Sequence, residues 1–195
     1  MQWEARGKLN HDMDIQTEIS LFTGYAGFTL GLRLAGSNAR TVCYVEREPY
    51  CQSVLQAHIA SGCLDDAPIW DDIKTFDGHP WRGTDLITAG FPCQPHRAAG
   101  KRAGASDDRN LWPDTLRVIG EVEPRYILLE NVPGINVGDA GRTPYGGTVV
   151  GQLSELGYDA EWGTYSAADA GAPHYRRRWW VLAYTNSNGS RPFQG

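Results

Sequence analysis

Short, almost wholly apolar runs recur along this chain, each followed by a polar or glycine-rich corner and then by apolar residues at helical spacing. A strand covered on both faces is continuously apolar, whereas a helix lying on a sheet shows one apolar stripe, so the alternation reads as strands followed by helices. The first run is 18–22 (EISLF), which meets the turn Gly24-Tyr25-Ala26-Gly27 and then a helical stretch over 28–35. A second strand is predicted over 41–45, ending at Glu46, with a helix over 49–60. A third strand would precede Asp72-Ile73, and 85–89 reads as the fourth parallel strand. A helix over 112–122 and a fully apolar fifth strand over 126–129, ending at Glu130, follow.

After a glycine-rich loop over 134–147, helical periodicity returns over 148–156 and Gly157 stands where a helix ends. Two further strands, 158–166 and 179–184, are close enough in sequence to form an antiparallel pair at a sheet edge. The repeated strand–helix order predicts an α/β, Rossmann-like fold: a mostly parallel sheet with an antiparallel edge hairpin. Residues 1–17 read as a flexible polar tail, 18–184 as one domain and 185–195 as a second polar, turn-rich tail. The chain carries no internal repeat.

With 195 residues and 41% hydrophobic content, the chain can bury one good core. No run approaches the roughly eighteen uninterrupted apolar residues of a membrane helix, and the N-terminus lacks the apolar stretch of a signal peptide. A soluble, cytoplasmic protein is expected, with no membrane contact. Cys43, Cys51, Cys63 and Cys93 form no CxxC pair, so reduced thiols are expected rather than a metal site or a disulfide framework. The formal net charge of −5 argues against a surface that coats nucleic acid throughout. Arg97, Lys101, Arg102 and Arg109, and again Arg176, Arg177 and Arg178, are nevertheless concentrated enough to line a phosphate-binding cleft, solvated surface charge being the alternative.

Candidate chemistry falls on the strand ends. The turn from Phe22 through Gly24, Tyr25, Ala26 and Gly27 leaves free backbone N–H groups at a helix N-terminus, suited to a ligand's polar tail or simply to tight packing. Glu46, roughly twenty residues beyond the glycines, stands where an acid can bind both hydroxyls of a ribose. Asp72 could accept from an adenine amino group and Ile73 could cover the ring, or the pair could be a surface turn. Gly90-Phe91-Pro92-Cys93-Gln94 follows the fourth strand at the edge where open α/β sheets place their sites. Glu130-Asn131-Val132 ends the neighbouring strand, which would bring a carboxylic acid beside the Cys93 thiol, an acid that merely caps a strand end being the alternative.

FxGxxG at 22–27, the acid Glu46, PCQ at 92–94, ENV at 130–132 and RRR at 176–178 occur in that order, and together they resemble the cytosine-5 DNA methyltransferases. The resemblance spans residues 18–184, and the segment GKRAGASDDRNLW is similar to that family's catalytic loop. It implies an S-adenosylmethionine-dependent methyltransferase fold and double-stranded DNA with its target cytosine flipped out. It also implies Cys93 as nucleophile, protonated Glu130 on ring nitrogen 3 and Gln94 beside the nucleophile. Asn131 would fix the turn that aims Glu130, Arg178 would contact the base or support Glu130, and Arg176 would lie near the flipped nucleotide's backbone. Phe22, Gly24, Tyr25, Ala26, Gly27, Glu46, Asp72, Ile73, Pro92 and Leu111 would hold the cofactor.

Ala26 takes the place of a usual glycine, His174 that of a glutamine and Arg97 that of a serine, without removing a reacting group. Members of the family continue into a target-recognition region and a closing segment, neither of which these residues contain. A piece of a longer chain, a split enzyme completed by a second polypeptide, and a non-catalytic DNA-binding or regulatory remnant are therefore all open, as is a tRNA cytosine methyltransferase with the same chemistry.

Overall fold

The computed structural model describes residues 14–92, 110–137 and 143–185. A seven-stranded sheet in the order β3-β2-β1-β4-β5-β7-β6 organises the chain. Its strands are β1 (Thr17–Leu21), β2 (Arg40–Val45), β3 (Ile69–Trp70), β4 (Leu86–Ala89), β5 (Tyr126–Asn131), β6 (Tyr158–Ser166) and β7 (Arg177–Thr185). The first five pair in parallel, and β7 runs antiparallel to both β5 and β6. The chain winds outward from β1 to β3 and then returns to the other side of β1 as β4. That reversal separates the turns leaving β1 and β4, and opens a crevice at their carboxyl ends.

The helices are α1 (Gly27–Leu34), α2 (Pro49–Ala60), α3 (Trp112–Val122) and α4 (Tyr145–Glu155). Successive strand residues point to opposite faces. Cys43 and Val45 therefore join the main core with Val118, Ile119, Val149 and Leu153 of α3 and α4, while Tyr44 packs with Leu55 of α2 in a smaller cluster. Ile19, Leu21, Ile87, Ala89, Ile127 and Leu129, on alternate positions of β1, β4 and β5, are wholly buried and form the inward face of the sheet.

Several boundaries shift by a residue or two from those read in the sequence, and three points bear on the fold. The third strand is only two residues long, too short to leave a periodic signal. The helix α4 starts at Tyr145, within the stretch read as loop; Gly146 is helical, and it is a glycine because a Cβ there would collide with Asn136. Strand β7 begins at Arg177, in register with Ser166, so two arginines of the basic run are strand residues. The edge hairpin and the helix end at Gly157, which has φ +88°, are as expected.

Candidate active site

The chain leaves β1 through a turn in which Phe22, Gly24 and Ala26 all have positive φ (53°, 56° and 61°). Thr23 fastens it, its N–H donating to the Val45 carbonyl at 3.1 Å and its hydroxyl to the Ser20 carbonyl at 2.8 Å. The first helical bond of α1 runs from the Leu30 N–H to the Ala26 carbonyl at 3.0 Å, so the amides of Gly27 and Phe28 precede the intrahelical ladder. Ala26 is a left-handed alanine with its methyl buried beside Tyr44, Leu55 and Leu64. Tyr25 is exposed and meets Tyr50 edge-on at 6.5 Å between ring centres.

Glu46 joins the turns after β1 and β2. Its Oε2 accepts from the Gly24 N–H at 2.6 Å and its Oε1 from the Glu48 N–H at 2.7 Å. Each carboxylate oxygen has two acceptor sites, so one on each remains for a diol. Asp72 uses Oδ1 to accept from the Lys74 N–H at 2.9 Å, closing a local turn. Ile73 is buried in the main core, and its carbonyl accepts from Arg117 of α3 at 2.7 Å.

The ends of β4 and β5 are joined by Asn131. Its Nδ2 donates to the Phe91 carbonyl at 2.8 Å, and its Oδ1 accepts from the Val132 N–H at 2.8 Å. The Phe91 ring is buried against Trp112 at 5.0 Å, which anchors this corner in the core. Pro92 is exposed, and Leu111, immediately before α3, is half-buried against the core. Glu130 faces the same end of the sheet: its Oε1 lies 2.5 Å from Nε of Arg178, and a Cβ on Gly90 would stand 3.6 Å from its Oε2. Phe28 of α1 would meet the same Cβ at 3.6 Å and packs edge-on against Trp180 at 5.6 Å.

The structure thus brings Glu130, Arg178 and Asn131 together with Gly90 and Phe91. Arg176 lies in the exposed stretch before β7, its N–H donating to His174 Nδ1 at 3.4 Å. Cys93 and Gln94, with Arg97, Lys101, Arg102 and Arg109, lie outside the described residues. Sequence reading missed that Asn131 reaches Phe91 across the strand gap and that Phe28 and Trp180 form an aromatic wall beside Gly90. Only the position of Phe28, just after the glycine turn, hinted at the second.

Two other features lie apart from this edge. Asp77, His79 and Glu121 bring possible ligand atoms within 4.8 Å of one another. Arg117, however, takes both Glu121 oxygens at 2.8 and 2.9 Å, the Gly78 N–H donates to the same carboxylate at 2.8 Å, and His79 Nδ1 sits 2.8 Å from Asp77. The cluster is a closed network tying the loop before β4 to α3. An open groove of about 400 Å³, lined by Arg40, Asp66, Trp81 and Arg82 among others, lies at the amino ends of the strands, opposite the crevice. Among the described residues, no helix is long and apolar enough to cross a membrane.

Comparison with known proteins identifies the chain's family. The sequence model of the family described as C-5 cytosine-specific DNA methylase matches residues 16–194. The type II methyltransferase M.NgoMIV of Neisseria gonorrhoeae is 33% identical over 174 residues, covering 87% of this chain and 52% of that protein. M.HhaI of Haemophilus parahaemolyticus is 31% identical over 177 residues, 90% of this chain and 51% of its own length. Among solved structures, the S. pombe Dnmt2 methyltransferase superposes with a TM-score of 0.71 at 27% identity, over 90% of this chain and 52% of that one. The chain therefore spans about half the length of these relatives.

Proposed function

This chain belongs to the family of C-5 cytosine-specific DNA methylases, and from that premise we propose that it is the cofactor-binding and catalytic half of an enzyme transferring a methyl group from S-adenosylmethionine to carbon 5 of cytosine in DNA. The observation that carries this reading is the meeting of Glu130, Arg178 and Asn131 beside Gly90 and Phe91, where the chain leads into Pro92-Cys93-Gln94.

The turn from Phe22 to Gly27 and the acid Glu46 suit the cofactor. The acceptor sites left on both Glu46 oxygens can take the ribose hydroxyls. The amides ahead of the α1 ladder, at Gly27 and Phe28, can take the carboxylate of the methionine tail. Tyr25, Asp72, Pro92 and Leu111 complete the proposed contacts, while Ala26 and Ile73, buried in the core, support the turns that carry them rather than touch the cofactor. S-adenosylmethionine, when bound, supplies the methyl group from its sulfonium.

Cys93, as thiolate, adds to carbon 6 of a cytosine flipped out of the duplex. Arg178 holds Oε1 of Glu130, which leaves Oε2 to carry the proton bonded to ring nitrogen 3. Protonation there makes the addition favourable and turns carbon 5 into a nucleophile. After methylation, a water molecule takes the carbon 5 proton, the electron pair of that bond forms the carbon 5–carbon 6 double bond as Cys93 leaves as thiolate, and ring nitrogen 3 returns its proton to Glu130, so the ring is aromatic again. Gln94 supports the nucleophile's corner, and Arg176 contacts the backbone near the flipped nucleotide.

Transfer of labelled methyl from S-adenosylmethionine to a mixed-sequence DNA duplex, with tRNA in parallel, tests the reading. Incorporation into DNA that is lost in Cys93→Ala is expected. Incorporation that survives Cys93→Ala, or that goes to tRNA alone, would overturn it.

A further inference from the structure

Glu18 stands on β1, ahead of the glycine turn, and is only 1% exposed. Its carboxylate is enclosed by hydroxyls from three other elements. Thr88 of β4 donates to Oε1 at 2.7 Å, while Thr29 of α1 and Thr41 of β2 each donate to Oε2 at 3.0 Å. Among the described residues no cation pairs with it. Asp65 opposes its ionisation and is itself paired with Arg33 at 2.7 Å. An apolar residue would fill a central strand at less cost than a carboxyl that must be taken out of water. Core packing alone therefore gives no reason for an acid here.

The three donors suggest one. Thr29 belongs to the first turn of α1, directly after the glycine turn, and Thr88 lies just before Gly90 on the strand leading to Pro92-Cys93. The far end of α1 has a separate fastening, in which Arg33 donates to the Cys63 carbonyl at 2.6 Å and pairs with Asp65 at 2.7 Å. Thr23 and Gly24 hold the glycine turn to β1, β2 and Glu46, but among the described hydrogen bonds the one from Thr29 to Glu18 is the side-chain tie that fastens the first turn of α1 itself.

We propose that Glu18 is a positioning residue, whose carboxylate, through Thr29 and Thr88, sets the glycine turn against the strand that delivers the Pro92-Cys93 corner. It touches no reacting atom and acts through α1 and β4. The inference rests on the cofactor reading above, and its test separates the two.

Thr29 and Thr41 form a matched pair, since both are buried and both bond the same oxygen at 3.0 Å. Thr29→Val cuts the tie to α1, whereas Thr41→Val removes an equal bond to β2 and leaves α1 tied. Binding of S-adenosylmethionine is expected to weaken about tenfold in Thr29→Val, the order of one hydrogen bond to a charged group, and by less than about twofold in Thr41→Val. Thr29→Ser should restore it. Amide exchange of the ligand-free protein gives the independent readout: exchange at Gly24, Ala26 and Phe28 should quicken in Thr29→Val alone. Equal exchange at those amides in the two valine variants would overturn the proposal whether or not the cofactor binds. Wild-type protein that binds no S-adenosylmethionine, yet shows the selective exchange, would overturn the cofactor reading and leave the positioning role standing.

Discussion

Asn131 has one buried amide and two tasks. With Nδ2 it holds the Phe91 carbonyl, two positions before Cys93 in the sequence, and with Oδ1 it turns the chain after Glu130. Asn131→Ala would leave a buried carbonyl and an N–H without partners. Stability is expected to fall by about 2 kcal/mol or more, read as a lower urea midpoint at unchanged slope. Methyl transfer should fall further than stability explains, because the corner loses its tether to β5. Cys43 illustrates the opposite case: burial pushes its thiol up to about 12, and it is an inert part of the core. Ala26 is intermediate. Its left-handed backbone opposes the L side chain, but its methyl is buried against Tyr44 and Leu55, so a residue departing from the family's glycine is accommodated.

Between elements, the tie made by Glu18 has a pH signature. Burial raises its carboxyl above the ordinary 4.5, against the lowering effect of the three threonine hydroxyls and with Asp65 adding to the rise. The folded state then holds this proton more tightly than the unfolded chain. Its contribution to stability is full below about 4.5 and is lost as pH rises through the folded value. Glu18→Gln cannot ionise, so its stability relative to wild type should climb with pH over that window, at no more than about 1.4 kcal/mol per pH unit. Parallel denaturation profiles for the two proteins would contradict this. The sequence showed Glu18 only as the first residue of a strand. That its side chain points inward depends on Thr29, Thr41 and Thr88, which come from separate stretches of chain and meet only in the fold. By contrast, β4 was legible because both its faces are buried, β5 because its half-buried face is apolar as far as Glu130, and the edge hairpin because its two strands lie close in sequence. The two-residue β3 offered no period to read. Arg177 and Arg178 read as a charge cluster, because a strand whose alternate face is half-open looks like a charged loop in sequence.

For the molecule as a whole, the strand order explains why motifs scattered over the chain lie along one edge of the sheet. The switch between β1 and β4 places the glycine turn, Glu46, Gly90 and Glu130 along one edge of the sheet, and the antiparallel β7 brings Arg178 to the same edge from the other end of the sequence. Order and residue type made this edge recognisable in the sequence. The Glu130–Arg178 pairing and the Asn131 bridge needed the register of β5 against its neighbours. The central claim, that Cys93 bonds covalently to the base presented at this edge, is tested most directly by trapping. In a duplex carrying 5-fluorocytosine, carbon 5 has no proton to lose, so a methylated adduct cannot release the thiol. With S-adenosylmethionine present, and with whatever segment supplies target recognition, mass spectrometry is expected to find a covalent protein–DNA complex mapped to Cys93 and absent in Cys93→Ser. Methyl transfer to ordinary duplex without any trapped complex, or a complex that persists in Cys93→Ser, would contradict the account.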